Sequence, residues 1–215
     1  MGEIIDVISD VTVYGSAALA FIYLIGFNRF DKAYKFFTLY LLTIAVIQLG
    51  MKAWKWYFEG QSNLFLFFYF FTLQFLWISL FYKELLKFKL MGYLLIGVFV
   101  LIGIQYWLDP GLYLRYNPLG ISMTQMILVV YSLLYLYRNL TERGNFYLVN
   151  IGFLIYFSSS TLIFTAGNLA FDDDFVKSIS WILVKVNVVI YFIFQILIFV
   201  EWWKHYRIPK KRLSK

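Results

Sequence analysis

Lys185 lies within the last apolar run of the chain, SISWILVKVNVVIYFIFQILIFVEWW, and no other charge sits well inside such a run. An ammonium group there costs at least about 2.5–3.5 kcal/mol on insertion scales, so it requires a partner, water or a route to the interface. The polar side chains at comparable depth in the other runs are few: Asp10, Gln48, Gln74, Gln125, Ser158 and Thr161. With Lys185 they make a candidate ligand-binding cavity, the carboxylate and amine supplying charge and the amides and hydroxyls supplying hydrogen bonds. Two inward roles follow for Lys185: an ion pair with Asp10, or capture of an anionic group on a ligand. The alternative is that its long stem snorkels to the interface. Asn187 does not share its face, because residues two apart on a helix point about 200° apart.

Other chemistry is thinly represented. The single histidine, His205, stands at the far end of the last run, away from these polar residues. Nucleophile–histidine catalysis therefore has no base within reach. No paired carboxylates occur in the apolar runs, which leaves no acid–base dyad there. Asp172, Asp173 and Asp174 are consecutive and read as a solvated acidic loop rather than a cation site. The chain has no cysteine, no phosphate-binding glycine loop and no HExxH, so neither a metal nor a cofactor is expected. The expected protein is not an enzyme.

The elements that must position these residues follow from composition. Of 215 residues, 62% are hydrophobic, 23% aromatic and only 14% charged. A soluble domain carries about 25% charged residues, so the excess apolar surface calls for lipid as solvent. Seven apolar segments run at about 7–27, 34–54, 64–82, 88–107, 118–137, 146–167 and 178–203. Each is near the roughly 20 residues that cross a bilayer core as a helix. None alternates with the period of two that a barrel strand shows. The expected fold is all-α and integral to the membrane: a seven-transmembrane-helix bundle over 1–203 with a basic tail over 204–215, and no separate soluble domain.

The distribution of charge orients the bundle. Fourteen basic residues fall in the links after the first, third and fifth segments and in the tail; the opposite side has four: Lys52, Lys55, Arg115 and Lys177. By the positive-inside rule the N-terminus is outside and the tail cytoplasmic, at a plasma (inner) membrane. The net charge of +7 is thus a topology signal, and no nucleic-acid partner is expected. The N-terminal MGEIIDVISD lacks the basic segment of a cleaved signal and the hydroxyl residue of a myristoylation motif. In the tail, Lys204, Arg207, Lys210, Lys211 and Arg212 are candidates for anionic lipid or a partner protein, at roughly 1 kcal/mol per basic residue near the surface.

Within the bundle, Ser9, Thr12, Ser16 and Ala20 fall on one face of the first helix, suited to close helix contact. Asn150, Thr161, Thr165 and Asn168 share a face of the sixth, and Gln125, Ser132 and Asn139 a face of the fifth. Such stripes turn inward, because lipid offers no hydrogen-bond partner. An external N-terminus, unbroken helices and a polar cavity in the outer half lead to a receptor- or sensor-like protein that admits a small molecule or lipid. Its short tail would pass output to a membrane or cytoplasmic signalling partner. The arrangement is similar to stand-alone versions of the seven-helix sensor regions of bacterial histidine kinases, in architecture only. The rival readings are a small-solute transporter and an accessory or scaffold subunit, the latter favoured by the aromatic-dense third segment. A lysine in the seventh helix also resembles rhodopsins, but the third helix has no carboxylate to serve a retinal Schiff base.

Overall fold

In a computed structural model of the chain, residues 2–115, 117–140, 144–167 and 174–207 are described. They form seven α-helices: α1 (Gly2–Leu24), α2 (Lys32–Tyr57), α3 (Phe65–Leu86), α4 (Leu90–Leu108), α5 (Pro118–Arg138), α6 (Tyr147–Gly167) and α7 (Asp174–Glu201). Among the described residues there is no strand. Six helices, all but α6, have described stretches long and apolar enough to cross a membrane; that of α6 (Tyr147–Ile163) is shorter and also apolar. The exterior has the same character. Phe21, Val46, Ile96, Met126, Leu162 and Ile193, on six different helices, are all exposed, as a multi-pass bundle facing hydrocarbon requires.

Helix ends follow local signals. The Asp31 carboxylate accepts from Tyr34 N at 2.9 Å and starts α2, while Asn117 accepts from Gly120 N at 2.9 Å ahead of Pro118 at the start of α5. α3 stops where Lys87 turns left-handed (φ 54°), and Arg138 of α5 donates to its last carbonyl, Leu86 O, at 2.6 Å.

Neighbouring helices pack in the order α1, α2, α3, α5, α6, α7 and back to α1, a closed ring of six. α1 and α7 are thus neighbours, as an ion pair between Asp10 and Lys185 would require. A ring of all seven does not form: α4 lies outside it, packed on α3. The reason is compositional. α4 buries only Met91, Val98 and Ile102 and carries Gln105 as its one amide, so it has little to exchange with a polar interior. The core is aromatic instead. Phe37, Phe81, Phe146 and Phe153 are fully buried, with ring centroids 5.1–6.1 Å apart across α2, α3 and α6. Dispersion between such rings holds helices together where lipid removes the hydrophobic drive.

Candidate functional site

The stripe of small residues on α1 is the foundation of the site. Thr12, Ser16 and Ala20 are buried there, which lets α2 and α7 approach closely. Ser16 Oγ lies 2.6 Å from Gln48 Oε1 of α2, 2.8 Å from Gln195 Nε2 of α7 and 3.1 Å from the Tyr191 hydroxyl. A serine has one proton, which Gln48 Oε1 shares with Thr12 O at 2.9 Å, Gln48 being the nearer, and it accepts from Gln195 and Tyr191. Tyr191 in turn accepts from Gln48 Nε2 at 3.2 Å, and Gln195 Nε2 also reaches Thr12 O at 2.7 Å. This closed circuit of donors and acceptors stitches three helices and forms a polar floor.

Above the floor, toward the α2–α3 connection, lies an open cavity of about 540 Å³. α1 contributes Ser9, Asp10 and Val13; α2 contributes Gln48, Met51, Lys52 and Lys55. Asn187, Val188 and Tyr191 supply the α7 wall, with Asn63 from the connection and Tyr156 from α6. At the mouth, Lys52 Nζ donates to Asp10 Oδ1 at 2.7 Å and lies 4.5 Å from the Tyr14 ring centroid. Asp10 therefore pairs with Lys52, not with Lys185. The cause is placement: α1 and α2 face each other at this level and bring the two groups together. Lys55 is exposed and forms no ion pair among the described residues. The Asn187 Oδ1 atom is buried and accepts no hydrogen bond.

Of the seven residues expected to line a cavity, Asp10 and Gln48 do so. Lys185 is half-buried on α7 and does not line this one; its face is turned away from that of Asn187. Gln125 is buried between α5 and α6, donating to Ser160 Oγ at 3.1 Å and accepting from Thr161 Oγ1 at 3.4 Å. Thr161 shares its one proton between Gln125 and Phe157 O, the nearer at 2.7 Å, and Ser158 is half-buried on the same helix. Gln74 is buried on α3, with its Oε1 accepting no hydrogen bond. Members of the α5 and α6 stripes turn inward and meet: Tyr82 bonds Ser132 and Asn150, whose amide donates to Ser132 O at 3.1 Å; the side chain of Thr165 lies outside those described. These contacts hold α3, α5 and α6 together and lie apart from the cavity. Of the tail candidates, Lys204 and Arg207 are exposed, the Arg207 guanidinium 4.0 Å from the Trp203 ring centroid. Lys210, Lys211, Arg212, Asn168, Asp172 and Asp173 lie outside the described residues.

Several groups at the site were not among the candidates, and two of them stand out. One is Asn187; the spacing of four from Asn187 to Tyr191 to Gln195 marks the polar face of α7 and was there to read. The other is Glu201, a carboxylate only 1% exposed at the end of α7. It accepts from Phe146 N at 3.0 Å and from Leu148 N at 2.9 Å, the unsatisfied amides at the start of α6. His205 Nε2 is 3.9 Å from its Oε1, beyond hydrogen-bond reach. A π-turn at Trp202–Tyr206 then swings Tyr206 into contact with Phe30, Tyr34 and Phe146, centroids 4.9–5.0 Å apart. Among the described residues no group of histidine, aspartate and glutamate is placed to hold a metal ion. No protein-family model, curated protein or solved structure matches the chain.

Proposed function

We propose that this chain is a non-enzymatic, receptor- or sensor-type protein of the plasma membrane, with its N-terminus outside and its tail in the cytoplasm. The cavity bounded by α1, α2 and α7 opens outward and admits a small ligand. Output passes to a partner protein, with Lys204 and Arg207 at the inner surface available to anionic lipid or to that partner. One observation carries the reading: the cavity is open at the end where basic residues are sparse, and closed below by a hydrogen-bonded polar floor. A floor stitched by Ser16, Gln48, Tyr191 and Gln195 gives a binding site without a through-path, which suits reception better than transport.

Because the chain has no cysteine, single-cysteine variants report accessibility cleanly. With an impermeant maleimide, Ser62→Cys should label in intact cells and Asn28→Cys only after permeabilisation; the reverse pattern overturns the orientation. Met51→Cys, in the cavity wall, should label from the outer face alone. Labelling from both faces would instead indicate alternating access and a transporter.

A further inference from the structure

We infer that the cavity between α1, α2 and α7 takes a small organic anion, bearing a carboxylate, sulfonate or phosphate group together with a hydroxyl or ammonium donor. This rests on the reading of that cavity as an open ligand site. The charged groups in its lining are Asp10, Lys52 and Lys55. Asp10 is engaged by Lys52, which leaves the ammonium of Lys55 as the surplus charge of the lining. Two other acidic groups stand near and do not cancel it. Glu59, in the turn just past the end of α2, lines the adjoining surface groove, which Lys52 and Lys55 also reach, but it does not line the cavity and makes no ion pair with Lys55. Asp6, one turn before Asp10, is exposed and lies outside the lining.

The Asp10 carboxylate is itself 63% exposed, so an incoming anion can take its place on Lys52 and return it to water at little cost. An anion seated there gains both lysines. Deeper in, the buried Asn187 Oδ1 lacks a donor, and an unpaired buried carbonyl is unfavourable unless something supplies one. An anion with a hydroxyl or ammonium on an adjoining atom meets both demands once the Asn187 side chain turns its oxygen toward the cavity it lines. A simple inorganic anion meets only the first. The group could arrive on a soluble metabolite or on a lipid head-group, which share this chemistry.

Val188→Cys, a near-isosteric change in the α7 wall, provides the test in nanodiscs of the full chain. It is treated with methanethiosulfonates carrying a sulfonate or a quaternary ammonium, each rate normalised to a free thiol in solution. The sulfonate should react faster, and adding Lys55→Gln should lower the sulfonate-to-ammonium ratio by about tenfold, the effect of one charge at roughly 6 Å in water on probes of opposite sign. No reaction with either reagent would defeat the open-cavity reading itself. Reaction with both, with no sulfonate preference or none that depends on Lys55, would overturn this inference and leave that reading standing. Millimolar glycerol 3-phosphate in phosphatidylcholine discs should slow the labelling if the anion is soluble. Slowing in phosphatidylglycerol discs alone would mark a lipid head-group, and slowing in neither overturns the inference. Asn187→Leu should abolish whichever protection is seen while keeping the sulfonate preference; protection that survives it overturns the role of the donor.

Discussion

Glu201→Leu should destabilise the bundle by about 2–5 kcal/mol, because it strips two buried backbone amides of their acceptor. Phe146 N and Leu148 N stand at the start of α6, where the first amides have no intrahelical carbonyl to bond. A carboxylate on another helix caps them both, with its charge at the positive end of the α6 dipole. Phe146 pays a further cost, since φ of 66° is strained for an aromatic residue, and the bond to Glu201 helps to hold it there. Glu201→Gln should fall between the two states, keeping one bond and setting an amide NH₂ against the other donor. Glu59→Gln, at an exposed carboxylate, should be neutral. Reversible unfolding in mixed micelles ranks the three variants, and Glu201→Leu behaving like Glu59→Gln would show that the cap contributes nothing.

Gly152→Ala should lose about 1–3 kcal/mol in the same assay, the usual cost of overpacking a tight interior. A Cβ at Gly152 would sit 2.3 Å from Cδ2 of Phe194, closer than any real contact. Phe194 has nowhere to retreat. Its ring is 1% exposed and packs against both Tyr156 at 5.7 Å and Phe153 at 5.0 Å. The helices themselves must therefore part, α6 from α7. Gly97 and Gly103, on the outward α4, have nothing within 4 Å of the same position. There alanine should be neutral or stabilising, by up to about 1 kcal/mol of helix propensity. Equal effects at Gly152 and Gly97 would refute this picture of the α6–α7 seam.

The helices were legible because a bilayer demands uninterrupted apolar runs of one length, and the ends of α5 and α6 fall within a residue of expectation. The peripheral place of α4 was not, since an apolar segment looks alike whether lipid or protein covers it. Only its shortage of polar residues hinted at the outside. For the site, ranking by the cost of burial favoured Lys185, the most expensive side chain in α7. A long flexible stem loosens the link between where a lysine is rooted and where its amine sits. Asn187 is short, so its direction follows the helix, and the repeat through Tyr191 and Gln195 carried more information than charge did. Glu201 escaped notice for the opposite reason. It closes an apolar run beside two tryptophans and reads as a boundary residue, while its partners are backbone amides with no side-chain signature.

α7 is a rod held at its middle, where Tyr191 and Gln195 join it to α1 and α2, and at its end, where Glu201 joins it to α6. Gln195 and Glu201 are about 9 Å apart along its axis, and Asn187 stands about 6 Å beyond Tyr191. Levers held this way do not pivot as a whole. Whatever displaces the Asn187 arm is spent as bending above Tyr191 unless the Glu201 clasp lets go. Loosening that clasp should therefore decide whether an event at the cavity is felt at Lys204 and Arg207.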